Sequence, residues 1–237
     1  MSRRALVVVY NRDMHFHIIS LFPRTVELYT SESILGRAIN SGKLKVSVYN
    51  PMDFAEESKK GKLPRRVDDK PYAGGPGMVL RAEPIIRAVE EAIGRKRNVG
   101  FIHFAPRAEK FTTDIAKQIA GESQLKKRAI KDVVIICGRY EGVDSRINEI
   151  FRGRELSIGD YVLTGGELPA MVVIDSVARQ LSGVLGDSDS REEERIAAGK
   201  YYTRPETVQY KGKKYEVPKV LVEGNHKKIE EWRKNNS

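Results

Sequence analysis

Three glycine-rich loops carry the side chains of this chain that could do chemistry. The first, VDDKPYAGGPGM at 67–78, sets two adjacent carboxylates, Asp68 and Asp69, and Tyr72 ahead of Gly74, Gly75 and Gly77. The second, CGRYEGVDSR at 137–146, brackets Arg139, Tyr140 and Glu141 between Gly138 and Gly142, with Asp144 and Arg146 behind. The third, SIGDYVLTGGELPAM at 157–171, runs through Gly159, Gly165 and Gly166 into a helix that starts with Glu167, Leu168 and Pro169. Glycines let a backbone turn sharply and approach a ligand closely. Gly-rich turns before helices often cradle phosphate, yet none of these loops matches GxGxxG, and no GxxxxGK[ST] occurs. The third loop has no lysine, and Glu167 at its helix start disfavours an anion there. Apolar loop residues and open backbone amides suit a flat, neutral heterocycle better than a triphosphate. Each loop has a plain structural alternative: a solvated turn for the first, a helix cap for the second, tight packing for the third.

Other chemistries find less support. His15, His17 and His103 lie within or beside apolar strands and His226 lies in the basic tail, with no HExxH or other metal spacing. No metal ligand is assigned on spacing. No GxSxG elbow or Cys–His arrangement occurs, so covalent catalysis is not suggested. The single cysteine, Cys137, excludes an internal disulfide and a Cys-based zinc cluster. Arg179, near the end of an apolar helix, complements the helix dipole in the default reading.

The elements that must hold these loops follow from the hydrophobic pattern. Residues 15–22, 44–49, 99–104 and 132–137 are expected strands, and 25–38, 83–93, 113–120, 143–151 and 168–181 expected helices. Almost continuously apolar strands alternating with helices argue an α/β protein with a parallel sheet flanked by helices. Ligands in such sheets bind beyond the carboxyl ends of the strands, where the second loop follows residues 132–137. Residues 50–77 form a long polar loop, a length uncommon in a compact domain unless it is functional or disordered. Residues 186–200, with DSDSREEER, are polar and lack core signals, so they read as a flexible linker. A small helical unit follows over 201–237, ending in a helix from Asn225 to Asn235 with Asn225 as N-cap.

The 237 residues carry a formal charge of +10, which attracts polyanions such as RNA or reflects a basic background. The apolar run near the N-terminus is too short to span a bilayer, so the expectation is a soluble cytoplasmic protein without a membrane partner.

Taken together, VDDKPYAGGPGM, ICGRYEGVDSR and SIGDYVLTGGELPAMVVIDSVAR resemble the signatures of the bacterial tRNA (guanine-N1)-methyltransferases, the TrmD family. HFHIISLFP, GVLG, YTRPE and GNHKKIEEWR match in the same order, so the resemblance runs from about Met14 to Arg233. It implies a SPOUT-class fold with a trefoil knot in its C-terminal half, a rare exception to unknotted topology. The methyltransferase domain would then be residues 1–185, with 1–13 as an N-terminal extension and Met14 as an alternative start. The 201–237 unit would bind tRNA.

The resemblance further implies a homodimer with its active site between subunits, transferring methyl from S-adenosylmethionine to N1 of guanosine 37 of tRNA. Carried over, the cofactor residues are His103, Phe104, Ala105, Pro106, Gly138, Arg139, Tyr140, Glu141, Gly142, Ser157, Ile158, Gly159, Tyr161, Val162, Leu163, Gly165, Gly166 and Pro169. The substrate set is Asp68, Asp69, Tyr72, Gly74, Gly75 and Gly77. Arg179 takes a guanidinium role toward O6, superseding the dipole reading. The family's catalytic aspartate lies in the linker, where this chain offers Glu194, with Glu193, Asp187 and Asp189 as rivals. Magnesium is a further implied ion, with Glu141 as a candidate contributor. Ala73 stands where the family has glycine. The alternative is a SPOUT-like RNA-binding protein with lost or altered methyl transfer, or a different RNA target.

Overall fold

The computed structural model describes residues 14–56, 65–121, 130–185 and 200–236. The chain divides into two compact units, Met1–Val184 and Leu185–Ser237. In the first, β1 (Met14–Ile19), β2 (Leu44–Tyr49), β5 (Val99–Lys110), β6 (Asp132–Ile136) and β7 (Arg154–Ser157) form one sheet in the order β2-β1-β6-β5-β7. Every pairing in it is parallel. A short antiparallel pair, β3 (Asp68–Asp69) with β4 (Val79–Leu80), closes the first glycine loop.

Both faces of the sheet are covered, as its apolar strands require. On one face α1 (Pro23–Thr30), α2 (Ser33–Asn40), α4 (Thr113–Ala120) and α6 (Glu167–Gln180) contribute Val26, Leu35, Ala116 and Ile174 to a core with Phe16 and Ile135. On the other, α3 (Ala82–Ile93) and α5 (Arg146–Ile150) bring Ile85, Val89 and Ile147 against Val134 and Ile136. Val133 to Ile136 of β6 therefore alternate between the two cores, so a polar substitution at any of these four would cost solvation on a buried face.

Four elements differ from expectation. The helix expected over 25–38 is two helices, because Thr30 Oγ1 and Ser31 Oγ donate to the carbonyls of Val26 and Leu28 and compete with the helical ladder. The helix expected from 143 begins only at Arg146. The backbone before it bonds to β4 instead, Leu80 N–H to Gly142 O (3.0 Å) and Asp144 N–H to Leu80 O (2.9 Å). β5 runs on past Phe104 through an irregularity to Lys110, and β7 is a strand that its short, charged sequence concealed.

The second unit holds a hairpin, β8 (Thr207–Tyr210) with β9 (Lys213–Glu216), then α7 (Lys219–Val222) and α8 (His226–Asn235). It is thus not wholly helical. Asn225 caps α8, its side chain accepting from Lys228 N–H at 3.3 Å. No helix among the described residues is long and apolar enough to cross a membrane.

Candidate functional site

The carboxyl ends of β5, β6 and β7 open onto a cavity of about 470 Å³, lined by residues of these strands and of the loops that follow them. β6 delivers Cys137 and the 138–142 loop, β5 delivers His103 to Pro106, and β7 delivers Ser157 and the 157–166 loop. The two glycine loops are tied together where Gly166 N–H donates to Gly138 O (2.9 Å) and Arg139 bridges Gly165. At Gly166 the φ of −84° suits any residue, but a Cβ would lie 2.7 Å from the Cα of Cys137. Glycine is required there for space rather than for conformation.

Of the cofactor residues expected from the sequence, all but Gly159 line this cavity. Gly159 instead closes a turn, its carbonyl accepting from Ser157 Oγ at 3.0 Å. Six further wall residues escaped the sequence reading: Ile136, Val143, Asn148, Glu155, Leu156 and Thr164. Asn148 donates to Glu155 at 2.6 Å, a pair joining α5 to β7. Neither residue sits in a glycine loop, and the unrecognised strand β7 hid Glu155. The glycine loops mark only the neighbouring walls, and no motif in the sequence points to these two residues.

The charge distribution decides what this cavity can hold. Arg139 is the sole lysine or arginine on the wall among the described residues, and it is neutralised by Glu167 (Nη2 to Oε2 2.9 Å). Glu167 is buried (2% exposed) and also accepts from Ser20 Oγ at 2.7 Å, while the Arg139 guanidinium lies 4.3 Å from the Phe22 ring centroid. Glu141 and Glu155 add two carboxylates. His103 donates through Nε2 to Phe151 O (2.9 Å), and burial holds its pKa below the ordinary 6.5, so it is neutral at neutral pH. Burial likewise pushes the Cys137 thiol well above its usual range, with Glu167 adding to the shift, so it is no nucleophile. The wall thus carries more carboxylate than unpaired positive charge, which suits an organic cation better than a phosphate.

The first glycine loop reaches the rim at two points. Glu141 N–H donates to Met78 O (3.0 Å), which sets Gly77 against the Glu141 side chain. Tyr140 hydrogen-bonds Asp68; burial and the adjacent carboxylate both raise the tyrosine's pKa. Asp69, Tyr72, Gly74 and Gly75 are exposed, Tyr72 almost completely, and are not brought to the wall. Arg179 is not brought there either. It lies twelve residues along α6 from Glu167, roughly 18 Å at the helical rise. Glu194, Glu193, Asp187 and Asp189 fall outside the described residues.

Residues 14–237 match the model of a family described as tRNA (Guanine-1)-methyltransferase TrmD. The chain belongs to the TrmD family. The tRNA (guanine-N(1)-)-methyltransferase of Thermomicrobium roseum is 44% identical over 93% of this chain and 78% of its own. That of Clostridioides difficile is 41% identical over 94% of this chain and 92% of its own. The crystal structure of tRNA (m1G37) methyltransferase from Aquifex aeolicus superposes with a TM-score of 0.72 at 35% identity, covering 93% of this chain and 88% of that one. The likeness to a TrmD structure thus extends over most of the chain.

Proposed function

We propose that this chain methylates N1 of guanosine 37 in tRNA, with S-adenosylmethionine as donor. The observation that carries this reading is the cavity wall: glycine loops, apolar side chains, two carboxylates and one neutralised arginine. Its volume lies within the range of small-molecule sites. When bound, S-adenosylmethionine supplies a methyl group on a sulfonium, already an activated leaving group. His103 to Pro106, the 138–142 loop and the wall residues among Ser157 to Pro169 would hold it. Glu141 is a candidate oxygen ligand should magnesium join the site.

Guanine N1 bears a proton at neutral pH and is a poor nucleophile until a base removes it. Glu194 takes that proton, a role worth roughly 10²–10⁴-fold in rate, and Glu193, Asp187 and Asp189 are its rivals. Arg179 donates to O6 as negative charge develops there. The 201–237 unit, with exposed Tyr210 and Tyr215 beside Lys211 and Lys213, supplies tRNA contacts.

The distance of Arg179 from the cavity of its own chain supports an active site shared between two copies. Exposed Leu28 on α1 with Leu168 and Val172 on α6 supplies an apolar face for that pairing. The expected knot also has support. β5 separates β6 from β7, so the chain after β7 must cross the end of β5 for Gly166 to reach Gly138.

The test is radiolabelled methyl transfer to tRNA carrying guanosine or adenosine at position 37. Incorporation confined to the guanosine form is expected; none into either form would overturn the assignment. In the same assay Glu194→Ala should lose at least about 100-fold in turnover with unchanged cofactor affinity. Unchanged turnover would pass the role of base to one of its rivals.

A further inference from the structure

At the opposite, amino-terminal end of the sheet lies a polar cluster that the methyl-transfer reading does not use. His15 and His17 project from the same face of β1, two residues apart, and Asp132 opens the neighbouring strand β6. His17 Nε2 is 2.9 Å and His15 Nδ1 3.6 Å from Asp132 Oδ1, and the three donor atoms all lie within 4.8 Å of one another. We propose that His15 Nδ1, His17 Nε2 and Asp132 Oδ1 form a binding site for a divalent transition-metal ion of the zinc type.

A tetrahedral ion with ligands about 2.0–2.1 Å away separates its donors by about 3.3–3.5 Å. The 2.9 and 3.6 Å separations from Asp132 bracket that spacing, and with the donor atoms all within 4.8 Å of one another, modest side-chain rotation would complete three corners. Water takes the fourth, since His15 and Asp132 retain 15% and 20% exposure while His17 has none. Two borderline imidazoles beside a single hard carboxylate suit zinc, cobalt or nickel rather than magnesium, which takes mostly oxygen ligands.

The outer ring nitrogens are already partnered in the manner of ligating histidines. His15 Nε2 lies 2.9 Å from Ser47 Oγ and His17 Nδ1 lies 3.3 Å from Tyr49 OH, both partners on β2. Such contacts fix ring orientation and tautomer. In the present arrangement His17 Nε2–H donates to the carboxylate. Ligation moves that proton to Nδ1, where Tyr49 OH accepts it, so the neutral imidazoles release no net proton. Lys96 Nζ, 3.6 Å from Asp132 Oδ1 on a side chain 40% exposed, is the competing cation and must swing away. The ion would clamp β1 to β6, joining segments 115 residues apart in sequence.

The experiment uses the untagged, metal-stripped full-length protein titrated with Co2+, whose tetrahedral complexes absorb visibly. One Co2+ per chain, displaced by Zn2+, is expected, together with a Zn2+-dependent rise in melting temperature. His15→Asn and Asp132→Asn should each weaken binding by about 100-fold or more, and Ser47→Ala by about 10-fold. Lys96→Ala should tighten it. His15 is partly exposed, so its variant remains decisive if a His17 variant fails to fold. No saturable Co2+ spectrum, full affinity in the His15 and Asp132 variants, or a spectrum abolished by His226→Asn instead would overturn the site.

Discussion

Gly166 shows how one missing methyl group makes room for a site. Its backbone angles are ordinary, and the close approach of Cys137 and the Gly138 amide forbids a side chain. Gly166→Ala should therefore lower stability by about 1–3 kcal/mol through overpacking. It should weaken S-adenosylmethionine binding by at least about tenfold, because relief of the clash separates the two loops. Calorimetric titration and thermal denaturation check the two parts. His103 offers a second test, in pH. Its folded pKa lies below 6.5 because burial outweighs the hydrogen bond to Phe151, so below pH 6.5 the unfolded chain binds more proton than the folded one. The stability held by neutral His103 is fully present above pH 6.5 and lost as pH falls toward the lower folded pKa. The wild type minus His103→Gln difference in urea midpoints should shrink over that window; a pH-independent difference would refute the sign.

Among the elements, α6 organises the site through its first residue. Glu167 joins three segments: it begins the helix, pairs with Arg139 of the loop after β6, and accepts from Ser20 just beyond β1. Removing it would leave a largely buried guanidinium without its counter-charge. Deletion of one partner of a fully buried pair costs about 3–5 kcal/mol. Arg139 keeps 24% of its side-chain exposure, so Glu167→Ala should cost less, about 2–3 kcal/mol. Glu167→Gln, which keeps the Ser20 hydrogen bond, should cost less again. Chemical denaturation of the two variants measures both. Equal stabilities for wild type and Glu167→Ala would show that the pair contributes nothing net. The periodicity of α6 revealed an apolar helix, but not that its first-turn glutamate points into the protein. A helix-start carboxylate ordinarily faces solvent and the dipole, and only the arrival of Arg139 makes burial tolerable.

For the whole molecule, the question is which chain supplies Arg179. Gly166→Ala impairs the cavity of its own chain, and Arg179→Ala removes the guanidinium; with S-adenosylmethionine held well below saturation, each variant alone should fall to about a tenth of the wild-type rate or less. In a dimer whose sites pair one copy's cavity with the other's Arg179, a mixed dimer has one site with both defects and one with neither. Random mixing of equal amounts should then restore about one quarter of wild-type turnover. No recovery after subunit exchange would place both groups in the same chain.

What the sequence determined by itself is local and chemical. The apolar period of β1, β6, α3 and α6 needed only the requirement that each element bury one face or both, and the glycine loops marked where backbone must come close. Gly138 was legible for that reason, whereas Tyr161 and Pro169 were named only through the family resemblance. Tertiary structure decided everything that depends on which distant segments meet. The strand order 2-1-6-5-7 brings the loop after β7 to Gly138, recruits Glu155 and Asn148 to the wall, and buries Glu167 against Arg139. It also gathers His15, His17 and Asp132. No local spacing encodes such a meeting, because strand pairing is fixed by the packing free energy of the entire sheet rather than by the residues that the pairing happens to join.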